Sequence, residues 1–181
     1  MAPMPRFPSA RKALRRLVPA VLALGVALLP PSGAAAAPAC YTKTEFEAEL
    51  ALRLHTELMV VGLTCHKIDL AQDFFGKYQQ FTKRHRAVLI DFEARLVDHF
   101  RRVERATGER RFHSFRTALA NEVAQRAALL TPATYCQFGR TLVDRMMSLS
   151  TAEFVSAVGT EDQGGRLVNS PLCDDIRTAS R

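Results

Sequence analysis

Cysteines at positions 40, 65, 136 and 173 constrain this chain most, because the first two flank a segment that reads as one helix. That segment is CYTKTEFEAELALRLHTELMVVGLTC, residues 40–65. A helix from about Thr44 to Leu63 puts Phe46, Leu50, Leu54, Leu58 and Val61 on one stripe. Ala48, Leu52, Met59 and Leu63 form a second, nearly opposite stripe, and Glu45, Glu49, Arg53 and Thr56 fill the narrow polar arc between them. Thr44 is the predicted N-cap, with Glu47 as its capping-box partner. A helix apolar on two sides packs against several neighbours. Such a helix separates its ends by ~30 Å, whereas disulfide-bonded Cα atoms lie about 5.5 Å apart. Cys40 therefore does not pair with Cys65.

The chain continues in helical periods. Over about Asp73–Arg105 the apolar residues Phe74, Tyr78, Phe81, Val88, Leu89, Phe92, Leu96, Phe100 and Val103 share one face. Unbroken, this helix would be ~50 Å long, so a bend or break is expected around Thr82–Arg86. Thr107-Gly108 is read as its stop, glycine supplying the left-handed conformation of a C-cap. A helix over about Arg110–Leu130 has Phe112, Phe115, Leu119, Val123 and Leu130 as core residues. Ser114, Ala118, Ala124 and Ala128 line its other side, where a helix could approach closely or a cavity could open. Thr131-Pro132 restarts the chain. The helix from Pro132 to about Leu149 presents Tyr135, Phe138, Leu142, Met146 and Leu149. Ser150 and Glu153 form a capping box for a short helix stopping at Gly159. The predicted fold is an all-α antiparallel bundle of four to five helices over 37–158, with an irregular tail at 159–181 tethered by Cys173 and no strand.

Two disulfide pairings remain. If the 73–105 segment is one descending unit, antiparallel neighbours bring Cys65 to Cys136 and Cys40 to Cys173. If it folds back on itself, the pairs become Cys40–Cys136 and Cys65–Cys173. The first is preferred, because the apolar stripe crosses the suspected break without changing face.

Residues 1–36 have the order of a secretory signal peptide: Arg6, Arg11, Lys12, Arg15 and Arg16, then LVPAVLALGVALL, then small residues up to Ala36. The apolar run is too short for a membrane span, which needs about 20 residues. A lipid-anchored Cys40 is disfavoured by Pro38 and by its distance from the apolar run. Without those five basic residues the formal charge of +7 falls to +2, which removes the basis for a nucleic-acid partner. All four cysteines lie after residue 36, which fits a periplasmic or secreted protein with two structural disulfides.

Motifs that carry chemistry are missing: no nucleophile elbow, phosphate-binding loop, dinucleotide fingerprint or zinc-protease signature occurs. The wide cysteine spacings do not match a zinc site, and no cofactor or metal is expected. His85 and His99 project from the apolar face of their segment ~21 Å apart, too far to share a metal. They read as histidines at the core edge. Glu57 lies at the edge of the polar arc and reads as a partner of Arg53. Met59, Met146 and Met147 occupy core positions. No catalytic residue is assigned.

ELMVVGLTC (57–65), YQQFTKRHRAVL (78–89), TALANEVAQR (117–126) and TYC (134–136) resemble an uncharacterised group of small exported bacterial α-helical proteins with two disulfides. The resemblance covers most of the chain after residue 36, through packing residues and cysteines. It implies an exported helical protein and carries over no activity or site.

One surface feature stands apart. Arg101, Arg102, Arg105, Arg110 and Arg111 surround the Thr107-Gly108 turn, with Glu104 and Glu109 between them. Residues 77–116 hold eleven Lys and Arg against five Asp and Glu. Such a tip suits an acidic protein surface or anionic lipid headgroups. The expected role is a non-enzymatic binding, adaptor or structural module with a periplasmic protein partner. Peripheral contact with an anionic membrane through the arginines, or a small ligand inside the bundle, is the alternative.

Overall fold

The computed structural model describes residues 39–160 and 169–173, with no account of the side chains of 159 and 160. The expected signal peptide at 1–36 and most of the tail lie outside the described residues. The protein is an all-α bundle of six helices: α1 Lys43–Cys65, α2 Phe74–Arg84, α3 Arg86–Val103, α4 Gly108–Ala128, α5 Pro132–Ser148 and α6 Thr151–Thr160. A short 3-10 turn, Leu70–Gln72, precedes α2.

Helix α1 is the axis, and pairs along it fix the direction of every neighbour. Gly62 meets Tyr78, His55 meets Thr82 and Glu45 meets Arg102, so α2 and α3 run antiparallel to α1. Arg53 meets Glu122 and Glu57 meets Arg126, so α4 runs parallel to it. Val61 meets Gly139 and Cys65 bonds Cys136, so α5 is antiparallel. It stops halfway. From there α6 carries Phe154 into the rings of Phe81 and Phe92. The end of the described chain returns to the start: Tyr41 bridges Leu172, and Tyr41 N–H donates to Pro171 at 2.8 Å.

The disulfides are Cys40–Cys173 and Cys65–Cys136. Cys40 is thus committed to a disulfide and carries no lipid. The suspected break is a kink at His85 (φ −101°, ψ 14°), through which the hydrogen bonds His85 N–H to Phe81 and Leu89 N–H to His85 continue. The two sides therefore descend as one bent unit, the condition for this pairing.

Several sequence expectations are corrected. The N-cap of α1 is Thr42, boxed with Glu45, two residues before the Thr44–Glu47 pair. Gly108 opens α4 instead of closing α3. It is buried because a Cβ there would lie 2.5 Å from Arg101 Cα, so close approach of two backbones, not a left-handed turn, requires glycine. The positive φ among described non-glycine residues belongs to Asp73, whose carboxylate caps α2 at Gly76 N–H. Phe138, Leu63 and Leu130 are exposed because no described helix covers them. Ser114, Ala118, Ala124 and Ala128 face outward, while α4 buries Phe112, Phe115, Leu119, Val123 and Ala127.

Candidate functional site

The five arginines of the α3–α4 end do not form one patch. Arg102 reaches back to α1, where its Nη2 donates to both oxygens of Glu45 at 2.7 Å. Burial alone would raise the Glu45 pKa, but the Thr42 N–H and the Arg102 guanidinium outweigh it and hold the carboxyl below its usual range. Arg102 is a structural strut. Arg101 pairs with Glu109 at 2.9 Å and Asp98 at 3.7 Å, and Arg111 with Glu104 at 3.0 Å. Arg105 and Arg110 are exposed and make no ion pair among the described residues. With Arg101 they border an open depression that continues over His113, Thr117 and Asn121. The chain turns tightly there because Gly108 lets α4 start against the last turn of α3.

His99 lies directly beneath this end, 2 % exposed, its ring 4.4 Å from that of Tyr41. Its Nδ1 is 3.0 Å from Arg102 and 3.4 Å from Glu45. Burial lowers its pKa, and the pull of Glu45 in the other direction does not reverse this. His85 sits at the kink between Phe81 and Phe154, with Nδ1 3.0 Å from Thr151 Oγ1. Burial, then the charge of Arg84, lowers its pKa as well. Both histidines are part of the core, and neither faces the arginine depression. Among the described residues, no three His, Cys, Asp or Glu side chains converge to hold a metal ion.

A second arrangement was visible in the sequence only as the polar arc of α1 that holds Glu49 and Arg53 four residues apart. Glu49, 0 % exposed, accepts Arg53 Nε–H at 2.7 Å and the backbone N–H of Asn169 at 2.9 and 3.0 Å. Arg53 continues to Glu122 at 3.0 Å. Arg126 bridges Glu122 at 4.0 Å to Glu57 at 3.2 Å. Glu57 therefore pairs with Arg126 on α4, not with Arg53. Burial acts to lower the Arg53 pKa, but the Glu49 carboxylate, supported by Glu122, raises it. Burial, then Glu49, pushes the Tyr41 phenol far above its usual value, and burial beside Glu57 pushes Tyr135 up to about 12. This ladder of alternating charge ties α1 to α4 and is sealed at one end by residues 169–173. Its carboxylates and guanidiniums pair with one another across the two helices, so it acts as a brace.

A third feature is a groove of about 300 Å³ between α1, α2 and α4, lined by His55, Met59, Tyr78, Arg116 and Ala120 among others. His55 escapes a periodicity argument because it sits between Leu54 and Thr56, at the border of the polar arc of α1. No family model, curated protein or solved structure matches this chain.

Proposed function

We propose that this protein is an exported, non-enzymatic adaptor that receives an acidic face of a partner protein at the arginine end of α3 and α4. The observation that carries this reading is the pair Arg105 and Arg110, exposed and without ion-pair partners among the described residues, where the other arginines at this end are engaged. The pairs of Arg101 and Arg111 are themselves exposed, and such pairs are worth about 0–1 kcal/mol. Carboxylates of a partner can take over both guanidiniums at little cost. Planar guanidiniums recognise carboxylates in a bidentate way, which favours a protein surface with defined geometry.

A lipid surface is less well matched. Between 101 and 114 no large apolar side chain is exposed to enter the headgroup layer. Each basic residue near an anionic membrane adds only about 1 kcal/mol. The compartment is read from the two disulfides, which persist in oxidising surroundings. The non-enzymatic reading is supported by the burial of His85 and His99, each held inside the core by its own partner.

A photo-crosslinking residue at position 106, in cells, tests the proposal, with exposed Ile90 as the control position. One dominant protein adduct, lost with Arg105→Glu/Arg110→Glu, is the expected result. A double reversal that leaves the adduct intact overturns the arginine end as the contact. Co-sedimentation with anionic vesicles in place of any protein adduct would make the partner a membrane.

A further inference from the structure

Helices α2 and α4 both pack on α1 but hardly touch each other, and the gap between them is the groove of about 300 Å³. That volume is at the small end of known ligand sites. The α4 side contributes Ala120 and Thr117, too short to fill it, with Asn121 at the rim. The α1 and α2 sides contribute the Met59 thioether and the Tyr78 ring. The chemistry of the groove is set by His55.

The proton on His55 can be placed. Thr82 Oγ1 donates its one hydrogen to the Tyr78 carbonyl, 2.9 Å away. The same oxygen lies 2.8 Å from His55 Nε2, and so it accepts there. Nε2 therefore carries the hydrogen and Nδ1 carries the lone pair. Among the described residues no group bonds Nδ1, and it is not among the side-chain atoms sealed from solvent. The ring is fixed by stacking on Tyr78, with centroids 5.4 Å apart. Burial, then the charge of Arg116, drops the His55 pKa to about 4, so the imidazole remains a neutral acceptor near neutral pH. Arg116 is itself paired with Glu93 at 2.9 Å.

We infer that this groove is a binding site for a small, neutral, flat molecule bearing one hydrogen-bond donor, of the phenol or indole class. The donor meets His55 Nδ1 and the apolar ring lies against Tyr78 and Met59. Arg116 at the rim disfavours a cation. A ring without a donor leaves the acceptor unpaired, and that difference sets the selectivity. This site is separate from the arginine end and stands without it.

Titration calorimetry of the full chain with phenol, and with toluene as a ring of similar size lacking the donor, tests the inference. Phenol is expected to bind saturably, with toluene weaker by about tenfold, the value of one hydrogen bond. Ala120→Leu fills the groove from its half-buried wall and should abolish phenol binding while the helical circular dichroism and melting transition persist. His55→Phe keeps a ring and removes the acceptor, and should bring phenol down to toluene. Equal binding of the two probes, no saturation with either, or phenol binding unchanged in folded Ala120→Leu would each overturn the site.

Discussion

The carboxylate of Glu49, on the second turn of α1, accepts the backbone N–H of Asn169 at 2.9 Å, 120 residues further along the chain. The same carboxylate holds Arg53 at 2.7 Å, so the contact joins a helix, an ion pair and the tail in one buried node. Removing Glu49 orphans the Asn169 N–H and leaves buried Arg53 with only the half-exposed Glu122 as partner, a loss that approaches the roughly 3–5 kcal/mol of a broken buried pair. Glu49→Ala should lose stability of that order in urea unfolding. Loss below about 1 kcal/mol would mean that water replaces the carboxylate.

Arg102 and Arg105 are three residues apart and should behave oppositely. Arg102→Glu places a second carboxylate against Glu45 and is expected to cost several kcal/mol, of order 3. Arg105→Glu changes an exposed side chain without a partner and should stay within about 0.5 kcal/mol. Equal losses in thermal melts would contradict the division of this end into strut and surface.

Gly139 and Val61 form a matched pair. A Cβ on Gly139 would lie 2.7 Å from Val61 Cγ1. Gly139→Ala should therefore cost about 1–3 kcal/mol by overpacking, despite the better helix propensity of alanine. Val61→Ala makes room, so the double variant should be more stable than the sum of its parts. A double-mutant cycle with no coupling would refute the contact.

Stability should fall with acid before the carboxylates titrate. The folded pKa of His55 is about 4, against 6.5 for the free side chain. Above about pH 6.5 both states are neutral at this site and it contributes no pH dependence. As pH falls from there towards 4, the unfolded chain takes the proton first and the folded state loses up to ~3 kcal/mol. His85 and His99 are shifted in the same direction. Facing His55 are Arg116 from α4 and Tyr78 from α2. Urea midpoints at about pH 7 and about pH 5 measure the slope. His55→Gln should flatten it, and an unchanged slope would place the sensitivity elsewhere.

Each disulfide closes a long loop, of 133 residues for Cys40–Cys173 and 71 for Cys65–Cys136. Removing either should cost about 2–5 kcal/mol. They differ in what else is lost. Without Cys40–Cys173 the segment that covers Glu49 is no longer anchored, so hydrogen exchange should rise at Tyr41 and around Glu49. Without Cys65–Cys136 the increase should appear at the other end of α1.

The parts of this fold legible in the sequence follow from rules that act locally or along a helix. The length of α1 excludes a Cys40–Cys65 bridge, and the unchanged apolar face across the 82–86 region identifies a kink at His85 and not a reversal. The hidden parts depend on what lies across the bundle. Glu49 and Arg53 fall on the polar arc of α1, and that arc is buried by residues 169–173, which have no periodicity to announce them. Phe138 follows the apolar pattern of α5 but lies beyond the reach of any described helix. The site at His55 depends on Thr82, 27 residues later, and on the gap between α2 and α4. The run of small residues on α4 was the one hint, although the residues that border the groove are Thr117, Ala120 and Asn121 instead of Ser114 and Ala118. At the arginine end, composition locates the cluster but cannot separate Arg102 from Arg105. That separation belongs to the turn of α3 that faces Glu45.

The order in which the cysteines are made differs from the order in which they are joined. A growing chain presents Cys40 and Cys65 first, and an oxidant acting at once would link them to each other. Helix formation within about a microsecond outruns thiol oxidation over seconds or longer, and α1 with its Thr42 cap holds the two thiols at opposite ends of a rod. That rod sets the two thiols more than a disulfide's reach apart. Each early thiol is kept apart from the other, and Cys173, the last cysteine made, belongs to the bridge that returns to Cys40.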